Sequence, residues 1–253
     1  MTKKIISGST IKIIAIISML IDHFGQIIVK NGIVMNATYS MFNNFQFSII
    51  MNIVDVCHIL GRIAFPIFCF LIVEGFLHTH NVRKYILRLT VFAIISEPIY
   101  DLSFSDKIIN IHLQNVIFTL LLGLLTITLI KKYNNNYLII ILASLVSSAI
   151  SFYLKMDGSY YGILLIVTFY LFKEKTVLQF ITAGLIMYLC GLDYSLKAFI
   201  DPYFITSLSS LIFISLYNGR RGLNMKYIFY IFYPAHLLCL YLISQYLIVP
   251  NLS

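Results

Sequence analysis

The amino-acid sequence is poor in charged residues. Only 11% of its 253 residues are Asp, Glu, Lys or Arg, whereas 60% are hydrophobic and the mean hydropathy is +0.90. A soluble domain of this length buries one core, which does not require nearly every segment to be apolar. The scarcity of charge therefore excludes an ordinary soluble domain. Apolar runs of the roughly 20 residues that a crossing needs recur from end to end, so the composition predicts an integral membrane protein.

Several chemical motifs are also missing. The sequence contains no P-loop, no GxGxxG after a strand and no zinc-ligand spacing, so no metal is expected. The 18 Lys and Arg give a net charge of +8 but occur in small groups between apolar segments, so nucleic acid is not an expected partner. The cysteines lie inside apolar runs without disulfide or metal spacing and are interpreted as core side chains: Cys57, Cys69, Cys190 and Cys239.

The apolar runs predict an all-α fold, a polytopic bundle of about nine transmembrane helices forming one domain over residues 1–253. The first run contains Asp22 and His23 and precedes no cleavage site, so it is a retained span rather than a signal peptide. The sixth and seventh are short for a full crossing, and are tilted, re-entrant or buried among other helices. The stretch 31–55 is a candidate interfacial helix. The predicted spans are 11–29, 56–77, 84–101, 114–130, 137–154, 160–172, 176–192, 202–217 and 226–248.

Basic residues assign the sides of the membrane, because cytoplasmic loops are enriched in Lys and Arg. Basic and nearly neutral loops alternate through all nine spans. This alternation predicts a multi-pass protein of the cell (plasma or inner) membrane, with a cytoplasmic N-terminus and an external C-terminus. The basic groups are Lys3, Lys4 and Lys12; Arg83, Lys84 and Arg88; Lys131 and Lys132; Lys173 and Lys175; and Arg220, Arg221 and Lys226. The other loops carry Lys30; Asp101, Asp106 and Lys107; Lys155 and Asp157; and Asp193, Lys197 and Asp201.

Ionisable residues also lie within the predicted spans, where an unpartnered charge costs several kcal/mol. In the first span Ser18, Asp22 and Gln26 recur every four residues and form one polar stripe along a helix. His23 lies about 100° around the axis from Asp22, so these neighbours do not face each other. Any carboxylate partner of His23 must therefore come from another helix.

The second span, CHILGRIAFPIFCFLIVEGF, combines a proline with a buried cation. Pro66 removes the hydrogen bond to the carbonyl of Arg62, so a kink is expected there, satisfied by protein or water. His58 shares a face with Arg62. Glu74 lies near the predicted cytoplasmic end.

The third and last spans add further titratable groups. Arg88 and Glu97 lie on nearly opposite faces of the third span, and Pro234 precedes His236 near the middle of the last one. The set thus brings two histidines, an arginine and two carboxylates to similar depth. Histidine is the side chain best suited to exchange protons near neutral pH, so the set favours a functional site over unrelated ion pairs.

The longest of these motifs resemble one family. The segments IKIIAIISMLIDHFG, LGRIAFPIFCFLIVEGFLHTHNVRKYILRLTVFAIISEPIYDL, DGSYYG, LYNGRRG and FYPAHL are similar, in this order, to the TraX family. Its namesake is the membrane enzyme that acetylates the N-terminus of conjugative F-type pilin. The family belongs with transmembrane acyltransferases that carry acetyl groups from cytoplasmic acetyl-CoA to acceptors at or beyond the outer face. The resemblance implies that the Asp22-His23 motif is central to transfer.

Acyl transfer needs a base or nucleophile and a group that stabilises the oxyanion. His23 is the candidate base or transient acyl carrier, and Asp22, Glu97 or both would tune it. Arg62 would stabilise negative charge, and His236 would be the second proton-transfer group. These five residues are the predicted catalytic set.

Acetyl-CoA is the predicted cosubstrate, and an extracytoplasmic peptide or glycan the predicted acceptor. Cations suit the phosphates of CoA, although the same cations also satisfy the positive-inside rule. The glycines of NGRRG permit a tight turn that approaches a phosphate. The cofactor-binding candidates are Arg83, Lys84, Arg88, Arg220 and Arg221. The candidates for binding the acceptor are Glu74, His58, Tyr160 and Tyr161.

Two other classes of protein use similar features. A proton-coupled secondary transporter would use Asp22, Arg62, Glu97 and His236 as its coupling site. Transporters often contain matching repeats, and neither matching halves nor an even number of spans is found here. A structural or assembly protein explains the spans but leaves the intramembrane charges without a reason.

Overall fold

The chain is described by a computed structural model over residues 4–37, 41–191, 195–223 and 226–252. Within these ranges the regular secondary structure is helical, with two isolated bridges and no β-strand, which confirms the all-α class. Three helical segments are long and apolar enough to cross a membrane: Gly8–Val34, Asn44–His78 and Tyr230–Asn251. Lys3, Asp193 and the side chain of Lys226, used above to assign orientation, lie outside the described residues.

Each of the nine predicted spans coincides with a helix or a pair of helices. The helices are α1 (Gly8–His23), continued as a π-helix by Phe24–Val34, α2 (Asn44–Gly61), α3 (Ala64–His78), α4 (Val82–Ser105), α5 (Val116–Lys132), α6 (Tyr137–Tyr153), α7 (Ser159–Leu171), α8 (Thr176–Cys190), α9 (Pro202–Ser215) and α10 (Lys226–Ile243). A 3₁₀ turn, Leu196–Ile200, precedes α9, and a π-helix (Ser244–Ile248) and a 3₁₀ turn (Val249–Asn251) follow α10.

The second predicted span is built differently from the expectation. It consists of α2 and α3, which meet at Arg62 and Ile63, while Pro66 lies in the first turn of α3, where a proline is tolerated. The interruption therefore falls at Arg62, as predicted. The stretch 31–55 forms no helix of its own, because its first residues belong to the π-helix and its last residues belong to α2.

Small and polar residues bring α1 and α2 together. The hydroxyl of Ser18 donates to the carbonyl oxygens of Leu60 at 2.6 Å and Gly61 at 3.2 Å, at the end of α2. Gly25 lies against Cys57, so closely that an added Cβ would stand 2.5 Å from the Cys57 Cβ. Such small residues let helix backbones approach closely. Of the predicted polar stripe, Ser18 and Asp22 thus face α2, whereas Gln26 donates to the side chain of Asn31.

The short helix α7 is the centre of the bundle. It packs against α3, α5, α6 and α8, and most of its residues, from Gly162 to Tyr170, are buried. The short sixth predicted span is therefore buried among other helices, one of the three alternatives that its length allowed.

The helices α4 and α10 pack against each other and against the π-helix that follows α1. The chain then turns back along α4, because Asn115, the N-cap of α5, donates from its side chain to the carbonyl of Ala93 at 2.9 Å. The start of α5 therefore lies beside the middle of α4, not beside its end. This arrangement brings the first and last helices of the chain to one interior region.

Candidate functional site

Two buried histidines from opposite ends of the chain meet in the interior. His23 is the last residue of α1 and His236 lies within α10, and Nδ1 of His23 is 2.7 Å from Nε2 of His236. The planes of the two rings differ by 4°, so the hydrogen bond lies close to the plane of both imidazoles. The partner of His23 comes from another helix, as expected, but it is an imidazole and not a carboxylate.

The hydrogen bonds of the pair fix its tautomers. Nδ1 of His236 is 2.7 Å from the carbonyl oxygen of Phe232. A carbonyl can only accept, so Nδ1 of His236 carries the hydrogen and Nε2 of the neutral ring is the acceptor. Nδ1 of His23 must then donate, which leaves the lone pair of His23 on Nε2. The geometry therefore prepares Nε2 of His23 as a base or nucleophile.

The two carboxylates of the predicted catalytic set have other partners. Oδ1 of Asp22 is 2.9 Å from Nδ1 of His58. Oε2 of Glu97 accepts hydrogen bonds from the backbone N–H of Asn115 at 3.0 Å and from its side-chain amide. Asp22 is therefore hydrogen-bonded to His58 rather than to His23, and Glu97 stabilises the start of α5.

A cavity of about 550 Å³ leads towards the histidine pair. It follows one face of α1, because its lining residues on that helix recur at helical spacing and His23 continues the same face one turn further on. Tyr233 lines the inner end, and its ring centroid is 6.3 Å from that of His23 and 5.8 Å from that of His236. The lining residues of α1 are Gly8, Lys12, Ile16 and Met19.

The opposite end of this cavity carries cations, which we call the basic rim: Lys12, Arg88 and Arg221. Arg88 lies close to the hydroxyl of Tyr230, and its guanidinium carbon is 6.0 Å from the ring centroid of Tyr85. Its Nε is buried without a hydrogen-bond partner in the described part of the chain. A buried, unused guanidinium N–H suits an anionic ligand such as a phosphate.

The structure separates the five predicted cofactor cations. Arg88 and Arg221 line the cavity, whereas Arg83, Lys84 and Arg220 do not. The NGRRG segment nevertheless makes the predicted tight turn, with φ values of +74° at Gly219 and +67° at Gly222. The backbone of this segment also touches α1, because the N–H of Gly8 donates to the carbonyl of Arg220 at 2.7 Å.

Arg62, at the junction of α2 and α3, belongs to a second cavity of about 510 Å³, whose other lining residues come from α7, α8, α9 and their ends. Its guanidinium carbon lies 5.3 Å from the ring centroid of Tyr203, an arrangement typical of cation–π contacts. Tyr161, another predicted site residue, lines the same cavity, with its hydroxyl 3.2 Å from that of Ser207. Arg62 and His23 thus lie on different cavities.

A loop carboxylate lies near both regions. Asp157 precedes α7 in a turn and is exposed. Both Asp22 and Arg62 lie within its electrostatic reach.

The predicted acceptor-binding residues are divided among several places. His58 pairs with Asp22 and Tyr161 lies with Arg62, as described above. Glu74 instead lines the first cavity together with Tyr217, and its carboxylate lies 3.7 Å from Nδ1 of His78. Tyr160 packs near Phe152, with ring centroids 6.2 Å apart, and lines neither cavity.

The sequence prediction missed two residues of the site. Lys12 was counted only as a basic flank of the first span, although its spacing from His23 by eleven residues places both on one helical face. Tyr233 stands three residues before His236, also on a shared face. Aromatic residues are so common in this chain, with 18 Tyr and 20 Phe, that being a tyrosine did not distinguish Tyr233 from the others.

These features define an all-helical protein with membrane-capable helices, in which a cavity leads from a basic rim to Tyr233, beside a pair of buried histidines. The sequence model of the TraX protein family matches residues 7–244, and the chain belongs to this family. The chain is also similar to the "Probable fimbrial assembly protein FimC, serogroup H1" of Dichelobacter nodosus. The two are 27% identical over 252 residues, which cover 92% of this chain and 94% of the relative. No solved structure matches the chain.

Proposed function

We propose that this protein is a multi-pass membrane acetyltransferase that moves an acetyl group from cytoplasmic acetyl-CoA to an acceptor on the outer side. The observation that carries this proposal is the cavity that runs from the basic rim along α1 to Tyr233, whose ring adjoins both histidines. Lys12 and His23 are eleven residues apart on one helix, about 16 Å along its axis. The long arm of CoA separates its phosphates from its sulfur, so phosphates at the rim can place a thioester near the histidines.

In this mechanism His23 acts as the general base. Nε2 of His23 takes the proton from the acceptor amine or hydroxyl while the acceptor atom forms a bond to the carbonyl carbon of the thioester. The carbon–sulfur bond then breaks, and the proton passes to the leaving thiolate to give CoA. His236 holds His23 in the reactive tautomer and stabilises the imidazolium form through its lone pair. Nε2 of His23 is also suited to carry the acetyl group if transfer takes place in two steps.

The acceptor side is proposed to include His58 with Asp22, and Arg62 with Tyr161. The acceptor is a peptide N-terminal amine, or a hydroxyl or amine of an envelope glycan. The similar protein from Dichelobacter nodosus is named for fimbrial assembly, which supports testing an exported polypeptide first.

The donor half of the proposal is tested by ligand binding. Because a ligand stabilises the state that it binds, CoA is expected to raise the Tm of the purified protein. Arg88→Gln removes a charged donor of the basic rim and should weaken CoA binding by roughly 10–100-fold. Lys132→Gln is the matched control, since Lys132 is an exposed cation at the end of α5 outside the cavity, and it should keep the wild-type affinity.

The chemical half is tested with His23→Ala. This variant should still be stabilised by CoA but should transfer no acetyl group. Acetyl transfer is measured by mass spectrometry of secreted peptides and envelope polymers from cells that carry the wild-type or the variant protein. Turnover equal to that of the wild type would remove His23 from the mechanism. A wild-type protein that CoA does not stabilise would contradict the acetyltransferase and favour a proton-coupled transporter.

A further inference from the structure

Tyr233 is a buried residue whose position packing alone does not explain. Its side chain is 5% exposed and lines the inner end of the first cavity. Its ring lies edge-on to both His23 and His236. Its hydroxyl is buried without a hydrogen-bond partner in the described part of the chain, although buried polar groups are nearly always hydrogen-bonded. The unused donor therefore stands where the cavity meets the histidine pair.

A second donor lies near the same oxygen. Val116, the first residue of α5, also lines the cavity, and its backbone N–H lies close to the Tyr233 hydroxyl without hydrogen-bonding to it. The side-chain oxygen of the N-cap Asn115 accepts from the N–H of Ile117, the next residue along, rather than from that of Val116. The first N–H groups of a helix have no partner within the helix and carry a partial positive charge. The two donors converge on one point of the cavity wall.

We propose that the Tyr233 hydroxyl, assisted by the N–H of Val116, forms the oxyanion hole of the acetyl transfer. This inference rests on the proposed function. When the acceptor atom bonds to the thioester carbon, the carbonyl π electrons move to its oxygen, and the tetrahedral oxyanion accepts hydrogen bonds from both donors. The electrons return as the carbon–sulfur bond breaks, and the hydroxyl keeps its own proton throughout. Preorganised donors of this kind act where charge develops in the transition state.

The assignment gives Tyr233 the role that the sequence predicted for Arg62. Arg62 is exposed and lines the second cavity, whereas Tyr233 lines the cavity that would hold the thioester. The oxyanion must form where the thioester carbonyl lies, next to the base. The donor nearest to His23 on that cavity is therefore the better candidate, although it carries no charge.

Tyr233→Phe tests the inference because it removes one oxygen and keeps the ring. A tyrosine that only packs has a hydroxyl with no partner, and its removal leaves the Tm unchanged or raises it. If Tyr233 is an oxyanion donor, the variant keeps the wild-type Tm but binds a tetrahedral mimic less well. The probes are CoA itself and its trifluoroacetonyl thioether, a trifluoromethyl ketone that becomes tetrahedral by hydration.

For Tyr233→Phe we expect CoA affinity equal to the wild type and at least tenfold weaker binding of the trifluoroacetonyl thioether. In turnover the loss should be about 10²–10³-fold, the effect of removing one oxyanion-hole donor. Tyr170→Phe is the control, because Tyr170 is also buried but its hydroxyl donates to Asn135, away from the cavity. It should bind both ligands as the wild type does.

Equal affinity of wild type and Tyr233→Phe for the ketone would overturn the assignment and leave the proposed function intact. A wild-type protein that binds neither CoA nor the ketone would instead contradict the proposed function. If Tyr233→Phe lowers the Tm, a protein with 3-fluorotyrosine at position 233 provides the test instead. This residue keeps the shape of tyrosine and has a more acidic hydroxyl. Tighter binding of the ketone would then support the oxyanion role, and unchanged binding would contradict it.

Discussion

At the scale of single residues, the site depends on which atom carries which hydrogen. The carbonyl of Phe232 determines the tautomer of His236, and His236 in turn determines that of His23. Two neutral rings linked in this way direct one lone pair into the interior without burying a charge. This matters at membrane depth, where a buried ion costs several kcal/mol.

We expect His236→Ala to lower acetyl transfer by roughly 10²–10⁴-fold, the usual contribution of a group that supports proton transfer. The variant leaves the Nδ1–H of His23 buried without an acceptor, so it loses both the orientation and the tautomer of the base. The measurement is the rate of acetyl-CoA consumption with the acceptor of the wild-type protein. His112→Ala, at an exposed loop position, should keep the wild-type rate, and equal rates for both variants would separate His236 from the chemistry.

At the scale of helices, the contact between α1 and α2 positions His23 and Asp22. Ser18 anchors α1 to the carbonyls at the end of α2, and Asp22 reaches His58 across the same contact. Gly61 faces the side chain of Asp22 so closely that an added Cβ would stand 2.5 Å from the Asp22 Cβ. The polar stripe of α1 thus works as a set of interhelical contacts.

Gly25→Ala is therefore expected to destabilise the protein by about 1–3 kcal/mol, the usual cost of overpacking. The new methyl group would stand 2.5 Å from the Cβ of Cys57, a rigid position that can yield only if the helices move apart. Thermal unfolding in detergent measures the effect.

Gly184→Ala is the matched control for this substitution. Gly184 lies within α8, and an added Cβ would be 3.4 Å from Leu208, an ordinary contact. Alanine is the better helix former by about 1 kcal/mol, so the control should be neutral or more stable. A Gly25→Ala protein as stable as the control would show that the π-helix after α1 and α2 do not need their close approach.

At the scale of the whole molecule, the two ends of the chain meet at the histidine pair, and the middle of the chain packs around α7. The first and last helices supply the histidine pair, while α7 is enclosed by α3, α5, α6 and α8. Three of the basic residues define one end of the first cavity. If the positive-inside rule applies, this cavity opens to the cytoplasm, where acetyl-CoA is available.

Cysteine labelling tests this orientation. A cysteine replacing Asn134, between α5 and α6, should react with a membrane-impermeant maleimide only after the membrane is opened. A cysteine replacing Lys107, which follows α4, should react in intact cells, because the predicted loops alternate in side. Labelling of both positions from the same side would contradict the predicted nine-span arrangement and the entry of the donor from the cytoplasm.

Much of the fold could be predicted from local patterns. Apolar runs placed a helix in each predicted span, because a helix in lipid must be apolar along its own length. The break at Arg62 was also predictable, since the nearby proline removes a backbone donor whatever surrounds it. The division of the stretch 31–55 between two helices was not, because it depends on how α2 packs against α1.

The sequence by itself determined that this is a helical membrane protein of the TraX type, and that His23 and His236 are its distinctive polar residues. Only the tertiary structure decided that the two histidines bind each other, that Asp22 faces His58, and that Arg62 and His23 line different cavities. The physical reason is one of range. Hydropathy and helical periodicity are properties of neighbouring residues, whereas a hydrogen bond between residues 213 positions apart depends on the packing of every helix between them.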